Sequence, residues 1–168
     1  HTTDICVTQN GLWFASYQDG VSYYNQETKV TTWINSKSHN LVSDLVNDIF
    51  EDSQKKIWIC TNYGISIYES GKITNFSKKN SLPSEYTISG TEDKNGNIWI
   101  ATFGGLLRFS KETQKFTLIT EMDGILSNNL YAILVDRNNQ IWLGTQVGIT
   151  RLSIDVKGTI LKIRNYDK

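Results

Sequence analysis

Apolar residues fall in short runs closed by polar turns, and one run keeps returning: "KKIWICTNYG" at 55–64, "GNIWIATFGG" at 96–105 and "NQIWLGTQVG" at 139–148. A looser copy, "NGLWFASYQDG", occupies 10–20. Trp13, Trp58, Trp99 and Trp142 stand 45, 41 and 43 residues apart. Each is followed three positions on by Ser16, Thr61, Thr102 or Thr145, and then by Gly20, Gly64, Gly105 or Gly148. Trp33 falls outside the series. Four copies of one phrase at a near-constant interval are an internal repeat, and the period decides the architecture.

Each unit parses into four short strands separated by turn residues. In the third copy the strands are expected at 86–92, 97–102, 106–109 and 115–119, with "DKNGN" turning the first into the second. Asn95-Gly96 is a strong hairpin dipeptide because both residues tolerate positive φ. The corresponding turns read "TQNG", "DSQKK" and "DRNNQ", and the fourth strands read "KVTTWI", "KITNFS", "KFTLIT" and "TILKIRNY". No amphipathic helical pattern interrupts them, so the chain is expected to be all-β. Four strands per 40 to 45 residues are the period of a β-propeller blade. Blades are expected at about 1–36, 41–77, 82–120 and 126–168, forming one propeller segment.

Blades pack face to face, which suits second strands that are apolar throughout, such as "IWIC", "IWIA" and "IWLG". Two residues after each Trp, on the same face of the strand, stands a small residue: Ala15, Cys60, Ala101 or Gly144. A small side chain there leaves room for an indole, which gives Cys60 a packing role. Cys6 and Cys60 are the only cysteines, and free thiols are expected in preference to a bridge between them.

Composition narrows the function. With 17 basic and 17 acidic side chains in 168 residues, and no Lys/Arg run longer than Lys55-Lys56 or Lys78-Lys79, nucleic acid is not an expected partner. No stretch is apolar enough to cross a membrane, and "HTTDICVTQN" does not read as a signal peptide, so an export signal would lie outside this sequence.

Glu92-Asp93, Gly96, Ile98-Trp99-Ile100, Thr102 and Gly105-Leu106, preceded by Leu82-Pro83-Ser84-Glu85 and echoed by Leu126-Ser127-Asn128-Asn129, resemble the two-component regulator propeller repeat. The resemblance covers 41–153 well and 4–34 more loosely. It implies the periplasmic sensor domain of a hybrid two-component system histidine kinase, recognising an oligosaccharide and signalling to a kinase that this chain does not contain. Copy one departs from the pattern, with a shorter first turn and with "SYQDG" one residue longer than "TNYG".

Four blades sit at the low end for a closed ring, and the resembled family builds larger ones. An open blade face is therefore expected at each end, to be covered by further blades of the parent chain or by a second copy in a homodimer, with a closed four-bladed ring as the third possibility.

Propeller geometry places the second-to-third loops and the connections between blades on one rim, where ligand sites are commonly built. That rim gathers Tyr17, Gln18, Asn62, Tyr63, Phe103, Gln146 and Val147 with Asn40, Ser43, Asp44, Asn47, Glu85, Tyr86, Asn128, Asn129 and Tyr131. Flat aromatic rings suit the C–H faces of sugars, and amides and carboxylates suit their hydroxyls. Many of the same residue types also simply build turns.

A glycosidase needs two partnered carboxylates. Glu51-Asp52, Glu92-Asp93 and Asp136 recur at a fixed place before each Trp, so they are expected to hold turns, while Asp19, Glu85, Glu121 and Asp123 show no pairing. No catalytic role is expected for this segment. "DKNGN" and "DRNNQ" imitate the opening of a calcium loop, but Ile98 and Gly104 stand where that loop needs Gly and Glu. His1 and His39 are isolated, so no zinc site is expected, and no cofactor is implied. A propeller that scaffolds protein partners is the second reading and a polysaccharide-cleaving propeller the third.

Overall fold

Each repeat folds because its turns close tight hairpins and its strands are too short and too β-branched to do anything but pair. The computed structural model describes residues 1–167 and consists of four antiparallel sheets of four strands, each in simple up-and-down order. The first sheet is Thr2–Thr8 (β1), Gly11–Ser16 (β2), Gly20–Asn25 (β3) and Thr31–Ile34 (β4). The second is Val46–Glu51 (β5), Ile57–Thr61 (β6), Gly64–Glu69 (β7) and Lys72–Phe76 (β8). The third is Thr87–Glu92 (β9), Ile98–Thr102 (β10), Gly105–Ser110 (β11) and Lys115–Ile119 (β12). The fourth is Leu130–Val135 (β13), Ile141–Thr145 (β14), Gly148–Ile154 (β15) and Ile160–Asp167 (β16). The all-β propeller-blade architecture expected from the repeat is the observed one.

The connections between sheets hold three short helical turns, Ser36–His39, Lys78–Asn80 and Glu121–Asp123, that the strand periodicity does not reveal. They are local devices. Asn35, Ser77 and Thr120 start them as N-caps, and each makes a reciprocal capping box with the residue three positions on.

The chain divides into two compact units, one ending at Thr87 and the other beginning at Ile88. In the first, Trp13, Ala15, Val21 and Ile34 share a core with Val46, Ile49, Ile57 and Ile59. In the second, Trp99, Ala101 and Leu106 share one with Leu130, Ile141, Leu143 and Leu152. Register explains which faces meet, since Trp13 pairs with Cys6 and Tyr23 across its sheet, and alternate residues point the other way.

The repeating glycines serve one contact. Gly64, Gly105 and Gly148 have φ of 132°, 126° and 149°, and a β-carbon on any of them would lie 2.2 to 2.4 Å from the carbonyl oxygen of Phe76, Ile119 or Tyr166 on the fourth strand. The repeating threonines lock the same loop. Thr61, Thr102 and Thr145 Oγ1 donate to the carbonyls of Gly64, Gly105 and Gly148 at 2.8, 2.7 and 2.9 Å and accept from the backbone N–H of Tyr63, Gly104 and Val147. Cys6 and Cys60 are free thiols. Burial pushes the Cys60 thiol well above its ordinary value of 9.0 and raises that of Cys6, so both stay protonated at neutral pH.

Candidate functional site

Because every sheet is antiparallel and up-and-down, the second-to-third loops and the lead-in to each first strand emerge from the same edge of a blade. Leu130 pairs with Thr145, which puts the start of β13 beside the end of β14. Val46 and Thr61 do the same in the second sheet. The rim residues are therefore sorted by what their side chains already do.

One group is occupied with holding loops. Asn47 Nδ2 donates to Asn62 Oδ1 at 2.8 Å and to the Thr87 carbonyl at 2.7 Å. Asp44 accepts from both the backbone and the hydroxyl of Ser36, and Glu85 Oε1 accepts from Lys78 N at 2.8 Å. Asn128 Oδ1 accepts from Glu121 N, while Glu121 Oε1 accepts from Asn128 N. Asp44, Glu85 and Asn128 thus occupy one repeat position, and each ties the blade's lead-in to the helical turn before it. Ser43 is buried, and its hydroxyl accepts from Leu45 N. Asn40 caps the first helical turn with left-handed backbone at φ 58°.

A second group points outward. Tyr17, Tyr63, Tyr86, Phe103, Tyr131 and Val147 are all exposed, Tyr63 to 59%. Gln18, Asn129 and Gln146 are exposed polar neighbours on the same loops. In the second unit, the Phe103 and Tyr131 rings meet edge to face with centroids 5.2 Å apart and an interplanar angle of 65°. This contact joins the β10–β11 loop to the start of β13, and it leaves two adjoining ring surfaces facing solvent. Asn129 and Gln146 are exposed polar residues on neighbouring loops.

The acids go elsewhere. Asp52, Asp93 and Asp136 accept from the indole N–H of Trp58, Trp99 and Trp142 at 2.9, 3.0 and 2.8 Å. Their other oxygen takes two turn amides, Gln54 and Lys56, Asn95 and Asn97, or Asn138 and Gln140. The sequence reading assigned these acids to turns but missed the indole, although the constant six-residue offset from Asp to Trp was there to be seen. The Trp142 N–H, reinforced by turn amides, holds the Asp136 carboxyl below its ordinary value of 3.8. Asp19 accepts from the Ser16 hydroxyl and Asp123 from Thr120, so the non-repeating acids also serve their own loops. Among the described residues, no three His, Cys, Asp or Glu side chains gather as a metal site would need.

The two component regulator propeller model matches residues 40–63, 81–104 and 124–146. No curated protein is significantly similar to the chain in sequence. Among solved structures, the chain is similar to the extracellular domain of a hybrid two component system from B. thetaiotaomicron, at TM-score 0.82 and 23% identity over 98% of this chain and 23% of that one. A second such extracellular domain from the same organism gives TM-score 0.81 and 18% identity over 99% of this chain and 22% of that one. Virginiamycin B lyase from Staphylococcus aureus gives TM-score 0.75 and 19% identity over 99% and 55%. At these identities the likeness establishes the fold, and the chain spans less than a quarter of the length of the first two. Among the described residues no helix is long and apolar enough to cross a membrane. Residues 40–63, 81–104 and 124–146, one segment in each of the last three sheets, are two component regulator propeller repeats.

Proposed function

We propose that this chain is part of a periplasmic ligand-sensing propeller of a hybrid two-component signalling protein, that its rim binds an oligosaccharide, and that binding is passed to a histidine kinase elsewhere in the parent protein. The observation that carries the reading is the exposed Phe103–Tyr131 pair, with Phe103 on the loop that Thr102 and Gly105 lock and Tyr131 at the start of strand β13. Rigid aromatic faces bind sugars at low entropic cost, because little is left to order on binding. The module acts by binding and not by catalysis. Its acids are spent on indoles and turn amides, which supports that part of the reading.

Further blades flank this segment in the same proposal. The outward face of the first sheet exposes Ile5, Val7 and Trp33, and that of the last exposes Leu134 and Ile149, the counterparts of Ile149 in the middle sheets, Ile65 and Leu106, being buried. A blade of the same repeat type is the complementary surface, supplied by the parent chain or by a second copy. Phe103→Ala and Tyr131→Ala are expected to weaken binding of the cognate oligosaccharide by at least tenfold each while the melting temperature stays within a few degrees. Unchanged affinity in both, or a loss of affinity that tracks a loss of folding, would assign the pair to packing and remove the basis of the reading.

A further inference from the structure

Each unit holds one contact between blades, and the two contacts are of one kind. The tryptophan face of the first sheet, with Trp13, Ala15 and Val21, lies on Val46, Ile49, Ile57 and Ile59 of the second. The tryptophan face of the third, with Trp99, Ala101 and Leu106, lies on Leu130, Ile141, Leu143 and Leu152 of the fourth. Trp58 and Ile100 are buried as well. The described residues leave one face of each kind uncovered. The fourth sheet shows its tryptophan face, Trp142, Ile149 and Arg151, with Leu134 63% exposed beside Trp142. The first sheet shows Leu12, Phe14 and Tyr24, which stand where the fourth has Ile141, Leu143 and Leu152, and Ile5 and Trp33 are exposed in the Phe14 row.

The contact in the second unit also has a polar latch. Arg108 lies over the Trp99 ring at 5.9 Å and donates from Nη2 to the Lys157 carbonyl, in the turn between β15 and β16. A β-carbon on Gly158 would lie 2.8 Å from Arg108 Nε, so a glycine lets that turn come this close. The Asp155 carboxyl of the same turn is held below its ordinary value of 3.8 by the Thr159 and Lys157 amides and, to a lesser degree, by the Arg108 charge.

Arg151 is the same residue one blade on, and no blade follows it among the described residues. It lies over Trp142 at 5.5 Å and over Tyr166 at 5.9 Å, and Arg164 lies over Tyr166 at 5.2 Å. Arg151 Nε, like Arg108 Nε, is buried without an acceptor. Guanidinium groups stacked on rings are weakly hydrated and suit an interface. The opposite charge stands on the first sheet. In its turn from Asn25 to Val30, Asn25 Oδ1 accepts from Glu27 N and Thr28 N, as Asp155 Oδ1 does from Lys157 N and Thr159 N. Lys29 has left-handed backbone at φ 61° where the fourth sheet has Gly158 at 75°. Glu27 thus takes the place of Lys157, an exposed acid instead of a base.

We propose that the last sheet of one copy docks head to tail on the first sheet of a second copy, with Trp142 and Ile149 against the Phe14–Trp33 row and Glu27 on the Arg151–Arg164 pair. The inference rests on the reading that blades cover the end faces, and it names a second copy as the cover. Each copy carries both halves of the contact, which makes the association heterologous. With 17 basic and 17 acidic side chains, no net charge holds the copies apart.

The test is sedimentation equilibrium of the chain from about 1 to about 500 μM. The expected mass rises with concentration from that of one chain to at least that of two. Glu27→Arg and Arg151→Glu should each weaken association about tenfold, and an equimolar mixture of the two should recover it, because every junction then pairs an acid with an arginine. Trp33→Ser should weaken it from the apolar side. Glu27 and Trp33, the latter 60% exposed, are surface positions, so their variants should keep the parent melting temperature and decide the matter alone if Arg151→Glu disturbs Trp142. Phe103→Ala at the rim should leave association unchanged. A monomer at every concentration, association untouched by Glu27→Arg and Trp33→Ser, or a mixture of folded variants that does not recover would each overturn the proposal. A monomer that still binds oligosaccharide at the rim would overturn it and leave the sensor reading standing.

Discussion

The turn before Trp13 and the turn before Trp58 start from the same place in the repeat and end in opposite states. At Trp58 a buried aspartate clasps the indole and two turn amides, and the blade edge is closed. At Trp13 the acid and most of the turn are gone, the indole is just as buried, and a cavity lined by rings and polar side chains takes their place. Conformity to the repeat marks residues that build blades. Departure from it, as at Trp13, leaves a cavity in place of the turn.

That contrast is sharpened by substitution. Asp52→Ala should have the largest effect, because it strands the buried Trp58 N–H and two turn amides at once. A loss of about 3 kcal/mol is expected, read as a lower urea midpoint. Trp58→Phe and Trp13→Phe remove the same part of a ring from similarly buried sites, so the ring loss cancels between them. Trp58→Phe should then cost about 2 kcal/mol more, the worth of a hydrogen bond to a charged acceptor. Equal losses would mean that the Trp13 N–H has a partner equivalent to Asp52.

The smallest effect is acid-linked. Asp136 has a folded-state value below its ordinary 3.8, so its contribution is complete above that value and is lost as pH falls through the depressed one. The Trp142 indole N–H resonance should therefore shift with acid below about pH 4 in the native protein and not in Asp136→Asn. Trp13, with no carboxylate at that position, should show no such step.

Much of this was legible in the sequence because a repeat is read four times over. Strand positions in the third blade differ from the expected ones by at most one residue at either end, since the repeated Trp and Gly fix the register. The short helical turns were not legible. They depend on single capping residues such as Asn35 and Ser77, whose signature is weaker than strand alternation and is spread over four positions. The rim was legible as a set of residues but not as a division of labour. Nothing in the spacing tells that Asn47 is spent on Asn62, or that Glu85 holds Lys78, while Tyr63 stays exposed. The cavity at Trp13 was visible only as a shortened turn, because its walls come from β5 and β7 as well as from the first sheet.

The middle and terminal sheets repeat the lesson on a larger scale. Every residue of β6 and β10 is buried, whereas β2 alternates between buried and half-buried residues and β14 between its first three. All four strands carry the apolar pattern of a blade covered on both sides.

Hydrogen exchange of the chain with and without pooled oligosaccharides tests the central claim, that the rim is where ligand is sensed. Protection of the β10–β11 loop around Phe103 and of the β13 start around Tyr131, lost in Tyr131→Ala, is the expected result. Unchanged exchange at both loops, with the oligosaccharide bound elsewhere or not at all, would contradict it.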